Sequence, residues 1–113
     1  MQTAYAPGHT PGSTVYRFTS EGQAIDVIGD LIHAPAIQFP HPDVSIRFDV
    51  DAKKAVASRT QEFNALAKSG EWVAAAHLPF PGVGHITASG QGFSWNPAIY
   101  GPYQRAALVP LLK

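Results

Sequence analysis

Only one stretch of this chain reads as a long helix, and every other element must be arranged around it. Asp49 or Asp51 can cap its start, and Val56, Arg59, Phe63 and Leu66 recur at steps of three and four. Ala55, Ala67 and the stem of Arg59 flank that apolar stripe. Gly70 follows as a C-terminal cap. The pattern predicts one amphipathic helix ending near Ser69. One such helix can cover one face of a sheet and leaves the other face bare.

Short extended segments stand on both sides of it. Residues 14–18 (TVYRF) and 24–29 (AIDVIG) are β-branched and aromatic around a turn-like Ser20-Glu21-Gly22-Gln23, which predicts a hairpin stopping at Gly29-Asp30. Residues 31–48 carry Pro35, Pro40 and Pro42 and read as a loop. Residues 72–76 (WVAAA) read as a buried strand ending at His77. Residues 85–89 and 93–95 flank Gly90-Gln91-Gly92 as a second hairpin. The order β-β-α-β-β predicts an α+β fold, a mixed sheet with one main amphipathic helix on one face. Residues 1–97 read as one domain. Residues 98–113 are a tail with Pro102, Pro110 and an apolar cluster at 108–112, which takes no assigned element.

Composition removes several classes of function. The 113 residues carry eight basic and eight acidic side chains, with no basic stripe, so nucleic acid is not an expected partner. The absence of cysteine excludes disulfides and thiolate metal sites. No run reaches the roughly 18 apolar residues of a membrane span, and MQTAYAPG lacks the blocks of a signal peptide. A soluble, cytoplasmic protein is the expectation. Charged residues are 14%, against the usual quarter, so part of the surface should be apolar or covered.

Three polar residues share one context, a strand meeting a Gly/Pro loop: His9 in GHTPG, Asp30 in GDLIH and His77 in AHLPFPG. Loops at strand ends gather at one rim of a sheet, where sites are built. Two imidazoles and a carboxylate are ligand types for zinc, and they suit iron or manganese as well. Each residue also has a bland reading: His9 as a loop histidine bonding backbone, Asp30 as a turn former, His77 as a core histidine. His33, three residues past Asp30, reads equally as a pocket residue or a loop polar residue. His41 reads as solvated, and His85 as the start of a strand. Arg47, Asp49 and Asp51 read as a solvated charge group near the helix start. Phe39, Phe80, Trp95 and Tyr100 are pocket candidates, although aromatics in a small domain usually belong to the core.

Taken together and in order, GHTPGST, VIGDLIH and AHLPFPGVGHI resemble the C-terminal half of the metallo-β-lactamase fold hydrolases. The branch holding methyl parathion hydrolase and lactonase-like enzymes is the most similar, and IQFP and FDVD resemble it too. The likeness covers about residues 5–97. It implies an αββα half of a two-half sandwich. It implies that His9 joins a first metal site, that Asp30 bridges two metals as the catalytic carboxylate, and that His77 serves the second metal. The implied activity is cation-assisted hydrolysis of a small-molecule lactone, ester or phosphotriester.

The family's H-x-H-x-D-H motif, which supplies most of the other ligands, is not found in these residues. The expectation is therefore a hydrolase domain lacking the N-terminal half of its site, with a divalent metal, zinc first, held weakly or not at all. The alternative is a non-catalytic half-domain or truncated fragment that assembles with itself or with a complementing chain. Covering an apolar face of ~600 Å² is worth about 15 kcal/mol before association costs of roughly 4–15 kcal/mol. A homodimer, a swapped oligomer or a complementing N-terminal half is the expected partner.

Overall fold

The computed structural model describes residues 1–99, so the expected tail lies, from residue 100 on, outside the described residues, and Tyr100 with it. Six strands form one sheet in sequence order: β1 (Gln2–Tyr5), β2 (Thr14–Ser20), β3 (Gln23–Val27), β4 (Trp72–Ala74), β5 (Val83–Ser89) and β6 (Gly92–Pro97). Neighbours are antiparallel except β3 and β4, which run parallel. A parallel pair needs a long crossover. The chain supplies it with a 3-10 turn (Gly29–Leu31), a short helix α1 (Pro35–Gln38) and the main helix α2 (Ala52–Ser69). The mixed α+β sheet with one main helix is the architecture the sequence predicts.

Helix α2 begins at Asp51, whose side chain accepts from the Lys54 amide at 3.0 Å. It ends at Gly70, with φ 70°, where the Gly70 amide donates to the Leu66 carbonyl at 3.0 Å. Ala55, Arg59, Phe63 and Leu66 are its buried residues. They face one side of the sheet, where Val15, Val73, Ile86 and Phe93 are buried. Phe63 is the hub. It stacks on Phe39 at 5.1 Å and meets Phe93 edge-on at 5.4 Å, and Phe39 stacks in turn on Trp95 at 5.6 Å.

Among the described residues, no helix lies against the opposite face. Strand pairing puts Tyr16, Val27 and Ala74 in one row, and Phe18, Ile25 and Trp72 in the next. Tyr16 and Phe18 are exposed there, and the rest are partly covered.

Two sequence expectations need correction. Strand β1 was not expected. All four of its residues are exposed, so it carries no burial alternation, and only its pairing with β2 reveals it. The 31–48 segment is not a plain loop. It contains α1 and is tied down from inside by two buried polar side chains. Gln38 accepts from the His33 and Ala34 amides at 2.8 and 3.0 Å and donates to the Val44 carbonyl at 3.0 Å. Arg59 donates to the carbonyls of Leu31, Pro42 and Val44 at 2.8, 2.7 and 3.0 Å. Arg59 is thus the side-chain partner of the Leu31 and Pro42 carbonyls and shares the Val44 carbonyl with Gln38.

Candidate metal centre

Because β3 and β4 run parallel, their C-terminal ends lie side by side. The Ile28 amide donates to the Ala74 carbonyl at 2.9 Å and locks those ends together. Asp30 follows β3 and His77 follows β4, each by three residues, so both stand on one rim. His9 reaches the same rim from the β1–β2 loop. That loop is stapled to the start of α2. The Asp51 amide donates to the Gly8 carbonyl at 2.9 Å, the Val50 amide to the His9 carbonyl at 3.2 Å, and Ser58 Oγ to the Pro7 carbonyl at 2.7 Å. Gly8 has φ 140°, and a Cβ there would sit 2.0 Å from the Ala55 amide nitrogen, so only glycine allows this approach.

Asp30 is the centre of the cluster. Its Oδ2 lies 3.2 Å from His9 Nε2 and its Oδ1 lies 3.1 Å from His77 Nε2. One carboxylate thus faces two imidazoles, one through each oxygen. His33 fills the space between the histidines. Its ring centroid is 4.6 Å from both the His9 and the His77 ring, tilted on the first and stacked on the second. Ligand atoms of His9, Asp30 and His33 lie within 4.8 Å of one another. The Nδ1 of His33 is buried with no hydrogen-bond partner among the described residues. Burial, with the neighbouring His9 and His77, pushes the His33 pKa below its ordinary value, against the pull of Asp30 and Asp49. A neutral imidazole is the form that binds metal.

Behind His9 lies a carboxylate that sequence reasoning misplaced. Asp49 was expected to be solvated, but its side chain is fully buried, with Oδ1 3.1 Å from His9 Nδ1. Its Oδ2 accepts from Ser45 Oγ at 2.6 Å and the Ile46 amide at 3.3 Å, and Arg59 Nη2 stands 3.7 Å away. Burial pushes the Asp49 carboxyl up, but the bonds from Ser45, His9 and Ile46, with the Arg59 charge, outweigh it and hold it below the ordinary range. Of the two aspartates able to cap α2, Asp51 takes the role. The only signal in the sequence was a buried arginine stem on α2, which needs an acidic partner when its head is buried too.

The four rim residues border an open pocket of about 560 Å³ whose other wall is Ile46, Arg47 and Phe48. Of the aromatic pocket candidates, Phe39 is taken up by the core and lines no part of this pocket. Phe80 is 92% exposed and does not line it either.

A divalent cation suits this donor set: convergent imidazoles, a carboxylate offering both oxygens, and a buried ring nitrogen with nothing bonded to it. A mixed sheet with such a cluster at its parallel strand ends defines the class, a metallo-β-lactamase scaffold. The chain is a partial metallo-β-lactamase fold domain. It is similar to AidC, a dizinc quorum-quenching lactonase solved in complex with a product, at 38% identity and TM-score 0.85, covering 88% of this chain and 34% of that one. It is similar to the hydrolase AbOPH of the beta lactamase superfamily at 40% identity and TM-score 0.85, covering 88% and 35%. A probable metal-dependent hydrolase from Staphylococcus aureus shares the fold, at 14% identity, TM-score 0.66, and 87% and 36% coverage. The chain therefore spans about a third of the length of these relatives. No family model matches it, and no curated protein matches it. Among the described residues, no helix is long and apolar enough to cross a membrane.

Proposed function

We propose that the chain contributes the His9–Asp30–His77 cluster of a metal-dependent hydrolase acting on a lactone, ester or phosphotriester. The observation that carries this reading is Asp30, whose two oxygens face two different imidazoles at 3.1 and 3.2 Å. The likeness to a dizinc lactonase supports it and favours zinc over iron or manganese. His9, Asp30 and His77 would hold the cation, with His33 in reach as a further imidazole. When bound, a divalent cation supplies Lewis acidity and lowers the pKa of water towards neutrality.

The chain's own residues do the positioning. Asp30 engages the Nε2 atoms of His9 and His77 through separate oxygens, Oδ2 and Oδ1. Ile46 and Phe48 offer an apolar wall for the non-reacting part of a substrate, and Arg47, with Cζ 5.8 Å from the Phe48 ring, adds a positive charge at the pocket wall. Elemental analysis of purified protein, with turnover of an aryl ester and a paraoxon-type phosphotriester before and after chelation, tests the reading. Bound metal with chelator-sensitive turnover is expected. Metal-free protein, indifferent to His9→Ala and His77→Ala, would overturn it.

A second reading rests on the open sheet face. Tyr16, Phe18, Ile25 and Trp72 form an apolar surface opposite α2. Such patches usually mark an interface. The reading is that this face packs against a second copy or a complementing chain, and a sizing measurement that returns only a 12.1 kDa monomer in the absence of any partner rejects self-assembly.

A further inference from the structure

We propose that Asp49 is the positioning residue of this centre: it holds the proton of the neutral His9 ring on Nδ1 and so keeps Nε2 free as the donor towards the Asp30 rim. The consequence for metal binding rests on the proposed metal site. The tautomer itself does not.

The argument is one of competing acceptors. His9 has a carboxylate at each ring nitrogen, Asp49 at Nδ1 (3.1 Å) and Asp30 at Nε2 (3.2 Å). A neutral ring has one proton, and the stronger acceptor takes it. Asp30 is 42% exposed, so water competes for its oxygens. Asp49 is fully buried, where a hydrogen bond to a carboxylate is electrostatically stronger. Asp49 also cannot turn away. Ser45 Oγ, the Ile46 amide and the Arg59 guanidinium all engage its Oδ2, which leaves Oδ1 for His9. Arg59 is itself anchored to the Leu31 carbonyl, next to Asp30. One buried guanidinium therefore ties the segment bearing Asp30 to the carboxylate that orients His9. Metal-bound histidines commonly donate their second ring N–H to such an acceptor, which fixes tautomer and orientation.

The same donors make Asp49→Asn a diagnostic change. The amide has one acceptor oxygen, and the three donors at the Oδ2 position claim it. The NH₂ group then faces His9 Nδ1 and forces that nitrogen to accept. The ring proton moves to Nε2, where it blocks a metal. The substitution keeps size and shape.

Long-range ¹H–¹⁵N correlation reads the tautomer directly, above the titration of His9, with the signals assigned by their loss in His9→Gln. The expected result is an Nδ1–H tautomer in the wild-type chain without metal and an Nε2–H tautomer in Asp49→Asn. A wild-type ring protonated on Nε2, or an unchanged tautomer in Asp49→Asn, overturns the proposal. The wild-type reading needs no variant, so it decides the matter if Asp49→Asn does not fold. Calorimetric titration with zinc alone then tests the consequence, and Asp49→Asn is expected to bind 10- to 100-fold more weakly. Equal zinc affinity removes the role towards metal. A wild-type chain that takes up no zinc refutes the metal centre while leaving the tautomer result standing.

Discussion

The His33 ring stacks on the His77 ring with centroids 4.6 Å apart and 27° between their planes. The two residues leave different strands, and only the parallel pairing of β3 with β4 brings them together. His33 pays for this place with a buried Nδ1 that meets no partner among the described residues. Phe in its place keeps the stack and removes the orphaned nitrogen. His33→Phe should therefore melt higher in chelator, by the equivalent of about 1 kcal/mol, the low end of an unsatisfied buried polar group. The rise in melting temperature on adding zinc should be smaller than in wild type. A rise equal to that of wild type takes His33 out of the donor set and leaves it a packing residue.

Arg59 and Asp49 form a fully buried pair, and neither is replaceable alone. Burial lowers the Arg59 pKa and Asp49 partly restores it. Arg59→Met strands the Asp49 carboxylate and takes the side-chain donor from the Leu31 and Pro42 carbonyls, while Val44 keeps its bond from Gln38. Breaking a buried ion pair on one side typically costs about 3–5 kcal/mol, a large share of the roughly 5–15 kcal/mol that holds a domain together. Denaturant unfolding should show that loss. The double variant Arg59→Met/Asp49→Ala should lose less than the sum of the two single losses, since the pair is coupled. Additive losses would mean that the two side chains do not act as a unit.

How much of this was readable beforehand follows from what each residue's partners are. Helix α2 was legible because its partners lie three and four residues away, and its caps, Asp51 and Gly70, announce themselves locally. The two hairpins were legible for the same reason. His9, Asp30 and His77 stood out because each sits where a strand turns into a Gly/Pro loop, and the structure brings those three onto one rim. Asp49 was not legible. Its neighbours Arg47 and Asp51 are exposed or half-exposed, and its own burial depends on His9, 40 residues earlier, and on Arg59. Phe39 was ambiguous for a related reason: a ring beside prolines fits a pocket wall as well as a core, and only its stacking on Phe63 and Trp95 decides.

Away from the metal centre, Glu62 on α2 faces Asp26 on β3, and two carboxylates share a partly buried space. Burial raises the Glu62 pKa first, and the Asp26 charge adds to it. A carboxylate whose folded pKa is raised costs stability when ionised, so the penalty is present at neutral pH, fades as pH falls through the raised folded pKa, and is gone below the ordinary glutamate value near 4.3. Glu62→Gln should be more stable than wild type at pH 7 and equal to it near pH 4. Solvent screening at this half-exposed position keeps the gain to about 0.5 kcal/mol. Thermal melts at the two pH values check both halves, and a variant less stable at pH 7 contradicts the repulsion.

Gly8 bears the tightest demand in the site. Its φ of 140° is a backbone conformation that side chains rarely adopt, and a Cβ would meet the Ala55 amide nitrogen at 2.0 Å and the Lys54 carbonyl carbon at 2.6 Å. Those atoms belong to the first turn of α2 and cannot step aside as a flexible side chain would. Gly8→Ala must therefore lift the loop from the helix, breaking the bonds from the Asp51 amide to Gly8 and from the Val50 amide to His9. His9 then moves away from both Asp30 and Asp49, and the cluster loses one of its imidazoles without any change in its chemistry. The expected outcome is a chain that still folds, because Gly8 is remote from the Phe63 hub, but is destabilised by about 2 kcal/mol or more. Its zinc affinity should fall as far as that of His9→Ala. A Gly12→Ala control, where nothing lies within 4 Å of the added Cβ, should leave both quantities near wild type. If Gly8→Ala binds zinc as wild type does, the loop is not what places His9.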